Sequence, residues 1–281
     1  MDLSVGGHHK TQPMTLVVGK TNTMSLKLVS YNLNGIRSAL TKGWAEWLRE
    51  HQFDIICVQE TKASADQVDL SPIADLGYNT HWHSAQKKGY SGVLTFSKRE
   101  PDLVEVGCGI SKYDDEGRIL RSDFGDLTVL NCYFPSGTTG DVRQDFKMIF
   151  LDDFFRWAHE LHQERKKLII VGDYNIAHTE RDIHDPKGNK NSSGFLPAER
   201  EWLSKWFDSG FTDAFRFLNP DKVEYSWWSF RAGARKNNKG WRIDYQSVSN
   251  NLREHLRSAR QMNEAEHSDH CPVLVEFDNL I

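Results

Sequence analysis

Residues 168–178 read LIIVGDYNIAH, and this stretch sets how the chain is put together. Leu168–Gly172 is a short apolar run with the length and composition of a buried strand. At its end Asp173 and Asn175 emerge two residues apart, which places both side chains on the same side of the chain. An Asx-rich turn would explain one such string. The same pattern recurs, however, in SYNLNG (30–35), VQETK (58–62), GWRIDY (240–245) and SDH (268–270). Each joins a strand-like run to a polar end, as happens when a sheet delivers its strand ends to a common rim.

Working outward, further strand-like runs lie at Leu26–Tyr31, Ile55–Gln59, Gly92–Ser97, Leu127–Tyr133, Lys167–Gly172, Ile243–Ser249 and Val273–Phe277. They are rich in β-branched and aromatic residues and bounded by Gly, Asn, Asp or Pro. Helical periodicity predicts a helix over 38–50, with Leu40, Trp44, Trp47 and Leu48 on one face. A second over 143–164 carries a stripe of Phe146, Ile149, Phe150, Phe154, Trp157 and Leu161. A third over 197–209 starts with Pro197 in its first turn and Glu199 at its positive end. Helices interrupt the strands irregularly, which argues against a barrel of eight βα units. A doubly wound sheet would want a glycine-rich first turn, and only Gly35 is near. The expected fold is α/β, a four-layer α/β sandwich of two packed mixed β-sheets flanked by helices.

The 281 residues carry a formal charge of −4, so no global basic character points to a polyanion. A phosphate-binding face would have to be local, and the basic loops 186–190 (PKGNK) and 231–242 (RAGARKNNKGWR) are the places for it. Cys57, Cys108, Cys132 and Cys271 show neither zinc spacing nor C-x-x-C pairing, and read as small hydrophobes in a reducing compartment. No apolar run approaches the ~20 residues of a membrane span. Residues 1–24 read as a poorly ordered extension and 25–281 as a single domain.

Asn32, Asn34, Glu60, Asp173, Asn175, Asp244, Asp269 and His270 form a set rich in hard oxygen donors. Hard oxygens suit Mg²⁺, and Mg²⁺ with acid–base groups suits phosphate-ester chemistry. Asp244 and His270 can form a carboxylate–imidazole couple in which the acid favours the charged ring.

Taken in order, SYNLNG, QETK, GYSGV, YFPSG, GDYNIAH, PKGNKNSSGF, GWRIDY and SDHCPV resemble the exonuclease III/AP endonuclease branch of the endonuclease–exonuclease–phosphatase superfamily, over residues 25–281. The resemblance implies the same four-layer fold. It also implies cleavage of the DNA backbone 5′ to abasic sites with a divalent metal, beside 3′-phosphodiesterase and 3′→5′ exonuclease activity. It makes Glu60 the main Mg²⁺ ligand (Mn²⁺ substituting), with Asn34 and Asp269 completing or supporting the site. Asp173 would activate or orient the attacking water. Asn175 and Asn32 would hold the scissile phosphate and its neighbours, Tyr133 would contact that phosphate, and His270, oriented by Asp244, would bind a non-bridging oxygen. The resemblance implies DNA contacts from Arg37, Lys42, Gly89, Tyr90, Arg118, Asn189, Arg231 and Trp241. Trp227, Trp241 and Ile243 would form an apolar pocket for a flipped abasic sugar, with Trp228 as readily core as pocket.

The expected partner is double-stranded DNA with abasic or 3′-blocked lesions, and the protein a monomer away from membranes, cytoplasmic and nucleoid-associated in a bacterium or nuclear in a eukaryote. Two other readings compete. A phosphoesterase for small or lipid substrates should lack PKGNKNSSGF and the aromatic loop from WWSF (227–230) to GWRIDY. A silent DNA-binding protein would have lost Glu60, Asp173 or His270.

Overall fold

The computed structural model describes residue 1 and residues 25–280. Apart from Met1, the extension read at residues 1–24 lies outside the described residues. The strands are β1 (Ser25–Asn32), β2 (Ile55–Gln59), β3 (Asn79–His83), β4 (Val93–Ser97), β5 (Leu103–Val106), β6 (Ile119–Phe124), β7 (Leu127–Tyr133), β8 (Lys167–Asp173), β9 (Phe211–Asp213), β10 (Trp227–Trp228), β11 (Gly240–Trp241), β12 (Asp244–Ser249), β13 (Leu256–Gln261) and β14 (Val273–Asp278). They form a 6-stranded sheet ordered β13-β14-β1-β2-β4-β3, a second 6-stranded sheet ordered β5-β6-β7-β8-β12-β9, and a small β10–β11 pair. The pairs β1/β2 and β7/β8 are parallel and their neighbours antiparallel, so both large sheets are mixed, as expected.

The sheets face one another across an apolar layer, with Leu28, Ile55 and Cys57 from one and Val129, Ile169, Val171 and Val248 from the other. Polar bonds cross the same layer. The Asn131 side-chain amide donates to the carbonyl of Leu94 at 2.9 Å, and that of Gln246 to the carbonyl of Leu28 at 3.0 Å. Buried N–H donors satisfied in this way fix how one sheet sits on the other, because a slip would leave them unpaired. Outside the first sheet lie α1 (Ile36–Thr41), α2 (Trp44–His51) and α3 (Ser71–Ala74). Outside the second lie α4 (Ser111–Asp114), α5 (Asp141–Glu164) and α6 (Pro197–Asp208), while the short α7 (Ala214–Leu218) packs at the sheet edge. The four layers expected from sequence are all present.

Two local readings are corrected. The helix expected over 38–50 is two helices, because Gly43 takes a left-handed φ of 82° and turns the chain between α1 and α2. Ile149, counted in the buried stripe of α5, is exposed, and Lys147 is buried in the helix instead. The parallel pairs bring the carboxyl ends of β1, β2, β7 and β8 to one rim. There β12 begins, with Asp244 directly opposite Asp173.

Candidate active site

Three of the residues that leave these strand ends do so in the left-handed backbone region: Asn34 (φ 48°), Glu60 (φ 51°) and Asn175 (φ 55°). Non-glycine residues are held there only when their surroundings over-determine them, and such strain concentrates at functional sites. Here the turns are locked by the site's own side chains. The backbone N–H of Asn34 donates to Asn32 Oδ1 at 2.9 Å, and that of Asn175 to Asp173 Oδ1 at 2.8 Å.

Asn32 is the hub. It is completely buried, and its side-chain amide donates to Glu60 Oε1 and to Asp173 Oδ2, both at 2.9 Å. One amide therefore fixes two acids from two different sheets. This corrects the expectation that Asn32 holds a phosphate, since its polar atoms are already engaged within the protein. Asn175 donates from Nδ2 to the carbonyl of Phe134 at 2.9 Å and toward Asp173 Oδ2 at 3.3 Å. Opposite stands His270, whose Nδ1–H donates to Asp244 Oδ2 at 2.9 Å while Nε2 lies 3.9 Å from Asp173 Oδ2.

The electrostatics follow from this packing. Burial pushes the Asp173 carboxyl up to about 8, with the Asp244 and Glu60 charges adding to it and His270 opposing. Burial would lower His270, but the Asp244 carboxylate prevails and the imidazole is pushed up to about 10. Burial likewise works against the Glu60 carboxylate, yet the Lys62 ammonium and the Asn32 amide hold it below its ordinary value. Tyr133 is pushed well above the usual phenol range by burial and by the neighbouring Glu60 and Asp173, so it stays a neutral donor.

Glu60, Asp173 and His270 present ligand atoms within 4.8 Å of one another among the described residues. A ring held charged by Asp244 has no lone pair to offer, so the carboxylate oxygens of Glu60 and Asp173 are the atoms that could meet a metal ion. The spot tolerates a cation, because Lys62 Nζ already stands 2.8 Å from Glu60 Oε2 and also binds Asn34 Oδ1. The oxygen-rich donors therefore fit a hard divalent ion. Asp269 stands outside that triplet, its carboxylate accepting from Asn34 Nδ2 and from Trp227 Nε1, each at 3.0 Å. Lys62 was missed as an individual in the sequence reading. Its signal was its place two residues beyond Glu60 in the same turn.

The rim opens into a cleft of about 960 Å³, with the acids and Tyr133 on its floor, Trp227, Trp241 and Ile243 on one wall, and the 136–141 and 189–194 loops as its lips. The two indoles meet edge to face, with ring centres 6.1 Å apart. Trp228 is core. Of the residues expected to face DNA, Arg37, Gly89 and Arg231 are exposed and Tyr90 and Asn189 half-buried. Lys42 is exposed and its ammonium caps the carbonyl of His267 at 3.1 Å. Arg118 is corrected: it is buried, donates to the carbonyl of Tyr133 at 2.8 Å and to Glu116 at 2.6 Å, and so holds the floor rather than meeting solvent. Tyr90 OH accepts from both Arg118 and Arg143.

Two stacked mixed sheets with an acid-rich rim of this kind define a class, the phosphodiester hydrolases of the α/β-sandwich type. Comparison with known proteins agrees. The model of the Endonuclease/Exonuclease/phosphatase family matches residues 29–270. An exodeoxyribonuclease of Bacillus subtilis is 43% identical over 250 residues, covering 88% of this chain and 98% of that protein. The DNA repair nuclease APEX1 of Danio rerio is 36% identical over 268 residues, covering 94% and 86%. The solved structure of an AP endonuclease from Archaeoglobus fulgidus superposes with a TM-score of 0.83 at 29% identity, covering 90% of this chain and 99% of that one. The chain belongs to the endonuclease/exonuclease/phosphatase family, in its exonuclease III/AP endonuclease branch. The family is divalent-metal-dependent.

Proposed function

We propose that this protein is a Mg²⁺-dependent DNA-repair nuclease that cleaves the backbone 5′ to abasic sites, with 3′-phosphodiesterase and 3′→5′ exonuclease side activities. The observation that carries the reading is the Asn32 bridge. It holds Glu60 and Asp173 side by side at the floor of a cleft whose wall is apolar and aromatic.

Glu60 is the residue that would hold the ion, with Asn34 and Asp269 as its polar surroundings. The ion, Mg²⁺ or substituting Mn²⁺, supplies neutralisation of phosphate charge. Asp173, its carboxyl raised toward neutrality by burial, orients and deprotonates the attacking water, since a base works best with a pKa near the working pH. Asn175, which lines the cleft, holds the scissile phosphate and keeps Asp173 aimed. His270, held charged by Asp244, donates from Nε2 to a non-bridging oxygen, where negative charge grows as the bond forms. The Tyr133 phenol donates to the same phosphate. Trp227, Trp241 and Ile243 receive the base-free sugar against an apolar wall, and flipping a normal nucleotide there carries the added cost of unstacking and unpairing its base. Arg37, Lys42, Gly89, Tyr90, Asn189 and Arg231 meet the backbone of the duplex, contacts that position without reading sequence.

The test is a labelled duplex with one abasic analogue, incubated with Mg²⁺ or with EDTA beside an undamaged control. The wild type should incise 5′ to the lesion only with Mg²⁺. Asp173→Asn should lose about 10²–10⁴-fold in turnover, the usual scale of general-base catalysis, while binding DNA as before. A near-wild-type rate in that variant would remove Asp173 from the mechanism.

A further inference from the structure

Beneath the cleft wall lies an ion pair that takes no part in the chemistry above. Lys147 of α5 and Glu199 in the first turn of α6 are both fully buried, with Nζ 2.5 Å from Oε1. Neither charge is spent on the other alone. Lys147 Nζ also donates to the backbone carbonyl of Asn175 at 2.8 Å. Glu199 Oε2 accepts the backbone N–H of Gly194 at 2.7 Å and that of Leu196 at 3.0 Å, and Gln144 Nε2 donates to Oε1 at 3.0 Å. Asn175 and Gly194 in turn both line the cleft. A side chain placed on Gly194 would start 3.0 Å from the Asn175 carbonyl oxygen and 3.1 Å from Trp241 Cζ3. The Gly194 carbonyl accepts from Ala177 N at 2.7 Å.

Resting on the functional reading of Asp173, Asn175 and Trp241, we propose that Lys147 and Glu199 are positioning residues that set both the aim of the site and its choice of substrate. Lys147 fixes the strained turn at Asn175 and, through it, Asp173. Glu199 fixes the Gly194 backbone against which the Trp241 ring rests. A buried ion pair is a weak source of stability, because desolvation offsets most of the attraction, and an apolar pair of similar volume often folds as well. A carboxylate that satisfies two loop N–H groups and a neighbouring ammonium at once is instead a device for holding backbone in place.

Three measurements decide this. In the wild type, amide exchange at Gly194 and Leu196 should be slow, although neither N–H has a backbone acceptor. Exchange at loop-like rates would overturn the clamp, whatever the enzyme cuts. Lys147→Met with Glu199→Met should keep a cooperative melt, because no charge is left alone, yet exchange at Gly194 and Leu196 should accelerate. In that variant kcat on an abasic duplex should fall on the order of 10²-fold, the scale of a misplacement near 1 Å, with KM little changed. Lys147→Met with Glu199→Gln keeps the shape of the acid, leaves no charge alone and offers a single acceptor, so the ratio of abasic cleavage to 3′-end trimming should fall more than the rate of trimming itself. A folded double variant with wild-type kcat and ratio would refute the proposal. A wild type inactive on abasic DNA would sink the functional reading instead, and the exchange rates would then judge the clamp by themselves.

Discussion

Gly194 is where the substrate argument is most exposed. Its φ of +93° lies where a side chain is strained, and its Cα faces the Asn175 carbonyl and the Trp241 ring. Alanine there should cost on the order of 1–3 kcal/mol in backbone strain, or about 2–4 °C of melting temperature per kcal/mol in a domain of this size. The added methyl would sit 3.0 Å from Asn175 O and 3.1 Å from Trp241 Cζ3, so something must move by a few tenths of an ångström. The carbonyl is held by Lys147 at 2.8 Å and the Gly194 amide by Glu199 at 2.7 Å. The half-exposed Trp241 ring is therefore what yields. If a 1 Å misplacement costs about 10²-fold, a few tenths should cost about fivefold on the substrate that uses the pocket. Gly194→His, which also fills part of the cleft, should cost on the order of 10²-fold by the same scale. The assay is initial rates on an abasic duplex and on a recessed 3′ end, side by side, at a temperature where each variant is folded. Abasic cleavage should drop further than trimming. Equal losses on both substrates, or a wild type that prefers undamaged ends, would refute the pocket.

Other outcomes follow from the same geometry. Glu60→Gln removes the anionic oxygen beside Lys62, so the Mg²⁺ concentration giving half-maximal rate should rise steeply; superimposable titrations would show that Glu60 is no ligand. If the cleft rim meets several phosphates, log affinity should fall with log salt by about 0.9 per contact. Arg37→Ala or Arg231→Ala should then flatten that slope by about one unit, and an unchanged slope in both would move the DNA face elsewhere. The buried Asp182 accepts from Arg242 at 2.7 Å and from Arg216 at 2.6 Å. Burial opposes its charge, but the guanidiniums prevail and hold it well below the ordinary carboxylate range. With the folded value depressed, its stabilisation is present above the unfolded value of about 3.9 and is lost as pH falls from there toward the folded one. Asp182→Asn should destabilise the fold at neutral pH, by less than the about 3–5 kcal/mol of a fully orphaned buried charge, because Asp213 Oδ2 still stands 2.8 Å from the Arg242 guanidinium. It should also flatten the decline of the urea midpoint below pH 4, and an unaltered decline would assign the acid sensitivity to other groups.

The sequence by itself determined the layers, the strand ends and nearly every acid on the rim. Strand-like runs ending in Asp173, Glu60 and Asn32, and the run that follows His270, are local signals, written in period and punctuation, and local signals survive without a fold. What only tertiary structure decided is partnership. Asn32 and Asp173 are 141 residues apart, and nothing in either string says that one amide would bridge two acids and leave no hydrogen for a phosphate. Arg118 reads as an exposed loop cation, yet packing turned it inward to brace Tyr133, because Glu116 and a bare carbonyl awaited it there. Lys147 is no part of the apolar stripe read over 143–164, and nothing local marks it as buried. Only the meeting of α5, α6 and the Asn175 turn supplied the buried acid and carbonyl that make a charge tenable at that depth. Local pattern places a side chain at an edge or on a face, whereas its charge state and hydrogen bonds depend on groups far away in the chain that arrive only when the sheets close.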